Sequence, residues 1–209
     1  MTRKIINVIA KGLFSLLFAA ILLEVLLQLY NPIPSSVKGN EILLPVNERL
    51  EIRTGISKLD SIVRFKRNSM GFRGPELPKD DAEIIFCVGG STTECRLLSD
   101  EDAWPSLLGD KLKSHGNYWL NNAGFDGHST YGHIKLLENH ILKFKPNHII
   151  FLCGVNDVGR DDLRQQDDQM QLASQSAIRK ILSKSELVNT YLTISRSVRA
   201  KQFDLTHAG

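Results

Sequence analysis

Ile84-Ile85-Phe86-Cys87-Val88-Gly89-Gly90-Ser91-Thr92-Thr93-Glu94 is an apolar, β-branched run that stops at two glycines and delivers a serine. A run of this length closed by glycine predicts a buried strand handing the chain to a tight turn. His148-Ile149-Ile150-Phe151-Leu152-Cys153-Gly154-Val155-Asn156-Asp157 repeats the pattern with asparagine and aspartate in the serine's place. Between them, the short apolar stretch Tyr118-Trp119-Leu120 runs into Asn121-Asn122-Ala123-Gly124-Phe125-Asp126-Gly127-His128-Ser129-Thr130. Three loops thus follow three candidate strands. Ser91 and Asn156 stand at carboxyl ends, the edge at which open α/β sheets bind ligands.

A serine hydroxyl attacks a carbonyl only when a base takes its proton, and the tetrahedral intermediate needs donors aimed at the oxyanion. Ser91 fits the nucleophile. The backbone N–H groups of Ser91 and Gly124 and the side-chain amide of Asn156 fit the donors, because glycine permits close approach and asparagine supplies N–H without charge. A turn of this kind also suits an anion-binding nest or a purely structural helix start. No Gly-Lys-Ser/Thr follows, which argues against a phosphate loop. Thr93 occupies the second glycine of a Gly-x-Ser-x-Gly elbow, which argues against the α/β-hydrolase turn.

The Gly-Gly-Ser-Thr-Thr-Glu, Asn-Ala-Gly-x-x-Gly-x-Ser-Thr and Gly-x-Asn-Asp blocks, in this order, resemble the SGNH, or GDSL-like, hydrolase family over roughly residues 68 to 160. The resemblance implies the same roles: Ser91 as nucleophile, Gly124 and Asn156 as oxyanion donors. It also implies a histidine and an acid from an Asp-x-x-His block after further strands. Asp204-Leu205-Thr206-His207 has that spelling, but no convincing apolar strand precedes it. The expectation is an incomplete domain in which Asp204 and His207 are not the working pair. Asn68-Ser69-Met70-Gly71-Phe72-Arg73 resembles segments that precede the serine block in membrane-anchored relatives. There Arg73 either lines the site or satisfies loop carbonyls.

After Ser91 the apolar period changes to that of helices. Trp104-Pro105 starts one, with proline where its missing N–H costs nothing. Ser129 or Thr130 caps a second with Ile134, Leu137, Ile141 and Phe144 on one face, ending before Pro146. Met170, Ala173, Ala177, Ile178 and Ile181 suggest a third, and Leu187, Tyr191, Ile194 and Val198 a fourth, all read as core faces. Alternating strand and helix predicts an α/β fold, a flavodoxin-like doubly wound parallel sheet of the SGNH type, incomplete and preceded by a transmembrane helix.

That helix is Ile5 to Tyr30, an apolar run broken mainly by Lys11 and Glu24 and ended by Asn31-Pro32-Ile33-Pro34. At about 1.5 Å per residue it can cross a hydrocarbon core of about 30 Å. Arg3 and Lys4 place its amino end in the cytoplasm. A cleaved signal peptide is the alternative, but no small-x-small site precedes a polar start. The layout expected is an anchor at 1–30, an irregular or β-rich lead-in at 31–80 and an SGNH-like domain at 81–209.

With 209 residues, 42% hydrophobic content and net charge +3, the chain has room for one domain beside this anchor. Its interspersed charges exclude an extended nucleic-acid footprint; Lys66-Arg67 and the row Arg196, Arg199, Lys201 read as solvated faces or headgroup contacts. Cys87, Cys95 and Cys153 make no disulfide framework, and Cys87 and Cys153 read as small core residues. His128, His133 and His140 lack metal-ligand spacing, and no cofactor is implied. The function expected is a single-pass, membrane-anchored, extracytoplasmic serine esterase or acyl-transfer enzyme acting on an ester-bearing small molecule, lipid or glycan. The alternative is a tethered binding module that keeps the pocket and lacks the base.

Overall fold

The computed structural model describes residues 2–33, 37–38, 41–158, 177–182 and 184–202. They fall into two compact units, one from residues 1–40 with 169–208 and the other from 41–168.

The larger unit is built on the strands anticipated above. Strands β3 (Glu83–Gly89), β4 (Tyr118–Gly124) and β5 (His148–Leu152) form a parallel sheet in the order β4-β3-β5. The strand order reverses at the central β3, so its carboxyl end opens at a switch point between two crossovers. Register pairs Phe86 with Asn121 on one side and with Ile149 on the other. Alternation along β3 sends Ile85 and Cys87 to one face, where Leu120 and the helix α3 (Trp104–Leu112) cover them through Trp104, Leu108 and Leu112. Burial pushes the Cys87 thiol up to about 12. The opposite face carries Phe86, which meets Phe72, Trp119 and Phe144 at ring centroid distances of 5.1, 5.4 and 5.8 Å. Both faces are thus apolar, which is why β3 reads as a continuous rather than an alternating run.

Helix α4 (Thr130–Asn139) begins where expected: Ser129 caps it, its hydroxyl accepting from the Gly132 N–H at 3.3 Å. It ends earlier than the stripe of Ile134, Leu137, Ile141 and Phe144 implied. His140 leaves helical geometry and its Nε2 meets the Ile42 carbonyl at 2.7 Å; a 3-10 turn then covers Ile141–Phe144. Lys145, at φ 50°, precedes Pro146, whose ring disfavours helix in the residue before it.

Upstream of the sheet lies an antiparallel pair, β1 (Arg49–Arg53) and β2 (Ile62–Lys66), that pairs Leu50 with Phe65 and Ile52 with Val63. Val63 and Phe65 point inward and Arg64 and Lys66 outward. The inward row continues to Arg67, which is 5% exposed. The expectation of a solvated Lys66-Arg67 face therefore holds for Lys66 and fails for Arg67, which period-2 alternation carries into the interior. Cys153, expected in the core, is exposed just beyond β5.

The smaller unit contains α1 (Thr2–Leu29), most of whose apolar side chains are exposed while Ala20 and Leu27, on the face that carries Glu24, are half-buried, together with α5 (Ala177–Leu182) and α6 (Glu186–Gln202). Met170 and Ala173 lie outside the described residues. Ile178, Ile181, Tyr191, Ile194 and Val198 are exposed rather than forming the core faces expected of them.

Candidate active site

Ser91 stands at the exposed start of the one-turn helix α2 (Ser91–Glu94), directly after the carboxyl end of the central strand. Gly90 is its N-cap, in extended geometry. Its carbonyl accepts from the Thr93 and Glu94 N–H groups at 3.0 and 2.9 Å. As at any helix start, the Ser91 N–H has no intrahelical acceptor.

Asn156 comes from the 3-10 turn Val155–Asp157 that follows β5. Its Nδ2 donates to the His128 carbonyl at 3.0 Å. It also sits so close to Gly90 that a Cβ built there lies 2.6 Å from it. One amide proton is thus committed and the other is available beside the Ser91 turn.

Gly124 plays a different part from the one expected. Its N–H donates to Asn122 Oδ1 at 2.8 Å, so it is not free to meet an oxyanion. A Cβ at this position would lie 2.2 Å from the Glu94 nitrogen and 2.5 Å from the Thr93 carbonyl carbon. Glycine is required there because the backbone of α2 rests on it. Gly124→Ala is expected to destabilise the unit by at least about 1 to 3 kcal/mol, the usual cost of overpacking, read as a lowered urea midpoint. An unchanged midpoint would show that α2 does not rest on this glycine. The outer glycine of the same loop, Gly127, is exposed at φ 72° with open space around it.

Residues that sequence reasoning passed over hold this turn in place. Asn122 Nδ2 donates to the Thr93 carbonyl at 2.7 Å and Trp104 Nε1 to the Thr92 carbonyl at 3.1 Å. Of the two readings of Arg73, the structure shows the second. Its guanidinium donates to the carbonyls of Glu94, Cys95 and Leu98 at 2.7, 2.8 and 2.6 Å and pairs with Asp100. Buried Glu94 accepts from Arg67 Nη2 at 2.5 Å and from the Asp126 N–H at 2.9 Å, tying the serine helix to the loop after β4. Asp157 accepts from both the N–H and the hydroxyl of Thr130, joining the Asn156 turn to the start of α4. The signal for Glu94 lay in the sequence: an acid one turn after Ser91, inside an otherwise neutral block.

His128 stacks on Phe125 at 5.2 Å, with His133 at 6.0 Å. Burial, helped by His133 and Arg67, pushes the His128 imidazole down to about 4. The free imidazole titrates near 6.5, so the unfolded chain takes up this proton first, and stability falls as pH drops from about 6.5 towards 4. The full difference is worth about 3 kcal/mol. Urea unfolding of His128→Phe should therefore show a shallower loss across this window than the unsubstituted chain. Parallel losses would remove His128 as their cause.

Asp204 and His207 lie outside the described residues. Among the described residues, no group of His, Cys, Asp and Glu is arranged to hold a metal ion. A cleft of about 390 Å³ between α3 and the edge of β4, lined by Pro105, Gly109 and Tyr118, does not include Ser91, which stands on open surface.

A parallel sheet with helices on both faces, presenting a serine at the switch point, defines the class as a GDSL-type α/β fold. The chain belongs to the GDSL-like lipase/acylhydrolase family, whose model matches residues 87–203. Among solved structures it is similar to the psychrotrophic esterase EstA from Pseudoalteromonas sp., at 23% identity and TM-score 0.35, over 51% of this chain and 55% of that one. It is also similar to a serine-to-alanine mutant of the esterase AlinE4, at 18% identity and TM-score 0.31, over 57% of each chain. The chain thus spans little more than half the length of either esterase. No curated protein matches it.

Proposed function

We propose that this protein is a serine ester hydrolase held at the membrane by α1, with its globular part outside the cytoplasm. The observation that carries the catalytic half is the placement of Ser91: exposed, at the first position of a helix, at the end of the central strand, with the Asn156 amide packed against the preceding glycine. In this reading Ser91 Oγ attacks the acyl carbonyl as a histidine base of the kind the family resemblance implies takes its proton, and the tetrahedral intermediate then breaks its bond to the alcohol, which leaves with that proton. The oxyanion is held by the Ser91 N–H, the second amide proton of Asn156 and the backbone of the loop after β4. Within that loop the exposed turn at Gly127 takes the donor's part, and Gly124 supports α2 from below. The acyl group then passes to water, or to an acceptor hydroxyl if one is bound. Lipid, glycan and small esters all reach an open surface of this kind.

Membrane tethering is supported by α1, of which Arg3–Leu29 is long and apolar enough to cross a bilayer. Arg3 and Lys4 at its start favour a cytoplasmic amino terminus.

The test is turnover of a short-chain aryl ester by the membrane-embedded protein. Asn156→Ala should lower the rate by about 10² to 10³, the usual loss of one oxyanion donor. An unchanged rate would demote Asn156 to a turn residue and take the oxyanion site with it.

A further inference from the structure

Glu24 is an acid set among the exposed apolar side chains of α1. It lies five residues before the end of the candidate span, about 7.5 Å at 1.5 Å per residue, and so close to where hydrocarbon gives way to headgroups. A carboxylate there needs partners. It finds them at the start of α6. Oε1 accepts the Glu186 N–H at 3.0 Å, and Oε2 accepts the Leu187 N–H at 3.0 Å and the Ser185 hydroxyl at 2.7 Å. An acid from one helix thus caps another, answering its unsatisfied N–H groups and the positive end of its dipole. Two turns further along, Asn31 Nδ2 donates to Glu186 Oε2 at 2.9 Å and to Thr190 Oγ1 at 3.0 Å. The beginning of α6 is therefore tied to the carboxyl end of α1.

This brings α5 to the same boundary, because only Ser183 and Lys184 separate Leu182 from Ser185. Ile178, Ile181 and Leu182, spaced i, i+3 and i+4, share one face of α5, and the two isoleucines are each 72% exposed. Arg179, Lys180 and Lys184 accompany them with no acid between residues 177 and 184. An exposed apolar stripe in a segment whose charged residues are all cations marks a helix that lies in a membrane interface. We infer that α5 lies in the headgroup layer beside the outer end of α1 and takes anionic phospholipid, with Glu24 as the residue that holds it there. The inference rests on the reading of α1 as a membrane anchor. Its occupant is lipid because the stripe adjoins the end of an apolar helix and its charge is complementary to phosphate.

The experiment uses the full chain in phosphatidylcholine vesicles with brominated acyl chains, with and without phosphatidylglycerol. Ile181→Trp adds an indole whose emission is read above the baseline of Trp104 and Trp119. Bromine should quench this added emission in the phosphatidylglycerol vesicles. Two further changes in the same background, Glu24→Ala and the combined Arg179→Gln, Lys180→Gln and Lys184→Gln, should each abolish that quenching while alkaline carbonate leaves the chain in the vesicles. Unquenched emission from a chain that carbonate does not extract would overturn the inference and leave the anchor standing. Quenching that survives Glu24→Ala would remove Glu24 from it. Extraction of the unsubstituted chain would overturn the anchor itself.

Discussion

Arg67→Met is expected to lower the unfolding free energy by about 3 to 5 kcal/mol, the cost of stranding one member of a buried ion pair. The two partners bury almost completely: 4% of the Arg67 side chain and 6% of that of Glu94 are exposed. Arg67 also lies over the rings of Phe125 and Phe65, at 4.3 and 5.0 Å from their centroids, and donates to the Gly71 carbonyl. Methionine fills much of this volume but leaves the Glu94 carboxylate in the interior with little besides the Asp126 N–H. Arg67→Lys should rescue only part of the loss, because an ammonium keeps a charge beside Glu94 but reproduces neither the planar stack nor the fork of donors. Arg67→Met combined with Glu94→Leu should recover much of the loss, since it removes the stranded charge as well. Denaturant unfolding followed by tryptophan emission measures all of these. A loss under about 1 kcal/mol for Arg67→Met is the value of a surface pair and would mean that the two charges are solvated.

This pair also shows where sequence reading stopped. The three core strands were legible because β3 is buried on both faces and reads as an unbroken apolar run, and the glycines at its end announce the turn. The positions of Ser91 and Asn156 followed from that strand grammar. Gly124 was legible as a necessary glycine, but its reason was not. Whether a glycine admits a ligand or a neighbouring backbone depends on what packs against it, and here that is α2, one of whose residues, Glu94, is itself fixed by Arg67. Arg67 lies outside the motif blocks, beyond a strand whose inward row could be followed only once its register was known. The exposed stripes of α5 and α6 resemble core faces in sequence, since helical period records amphipathicity and not what covers the apolar side. Asp204 and His207 could be named from spelling alone and stay at that level.

Ser91→Ala should abolish ester turnover in the membrane-embedded protein, by about 10⁶ in kcat if Ser91 acts as the nucleophile of a serine-histidine unit. The fold should survive the change. The Ser91 side chain is exposed, and α2 is held by contacts that do not involve its hydroxyl: Gly90 with the Thr93 and Glu94 N–H groups, Asn122 with Thr93, Arg73 with Glu94 and Cys95. Equal urea midpoints for the two proteins, together with loss of both aryl-ester turnover and fluorophosphonate labelling, would separate a chemical role from a structural one. Residual turnover well above water is compatible with the assignment, because oxyanion donors retain about 10³ to 10⁴ of rate when a nucleophile is removed. That residue of activity should then fall further in the combined Ser91→Ala and Asn156→Ala protein. Full turnover after Ser91→Ala alone would exclude Ser91 as the nucleophile and return its turn to the role of a helix start.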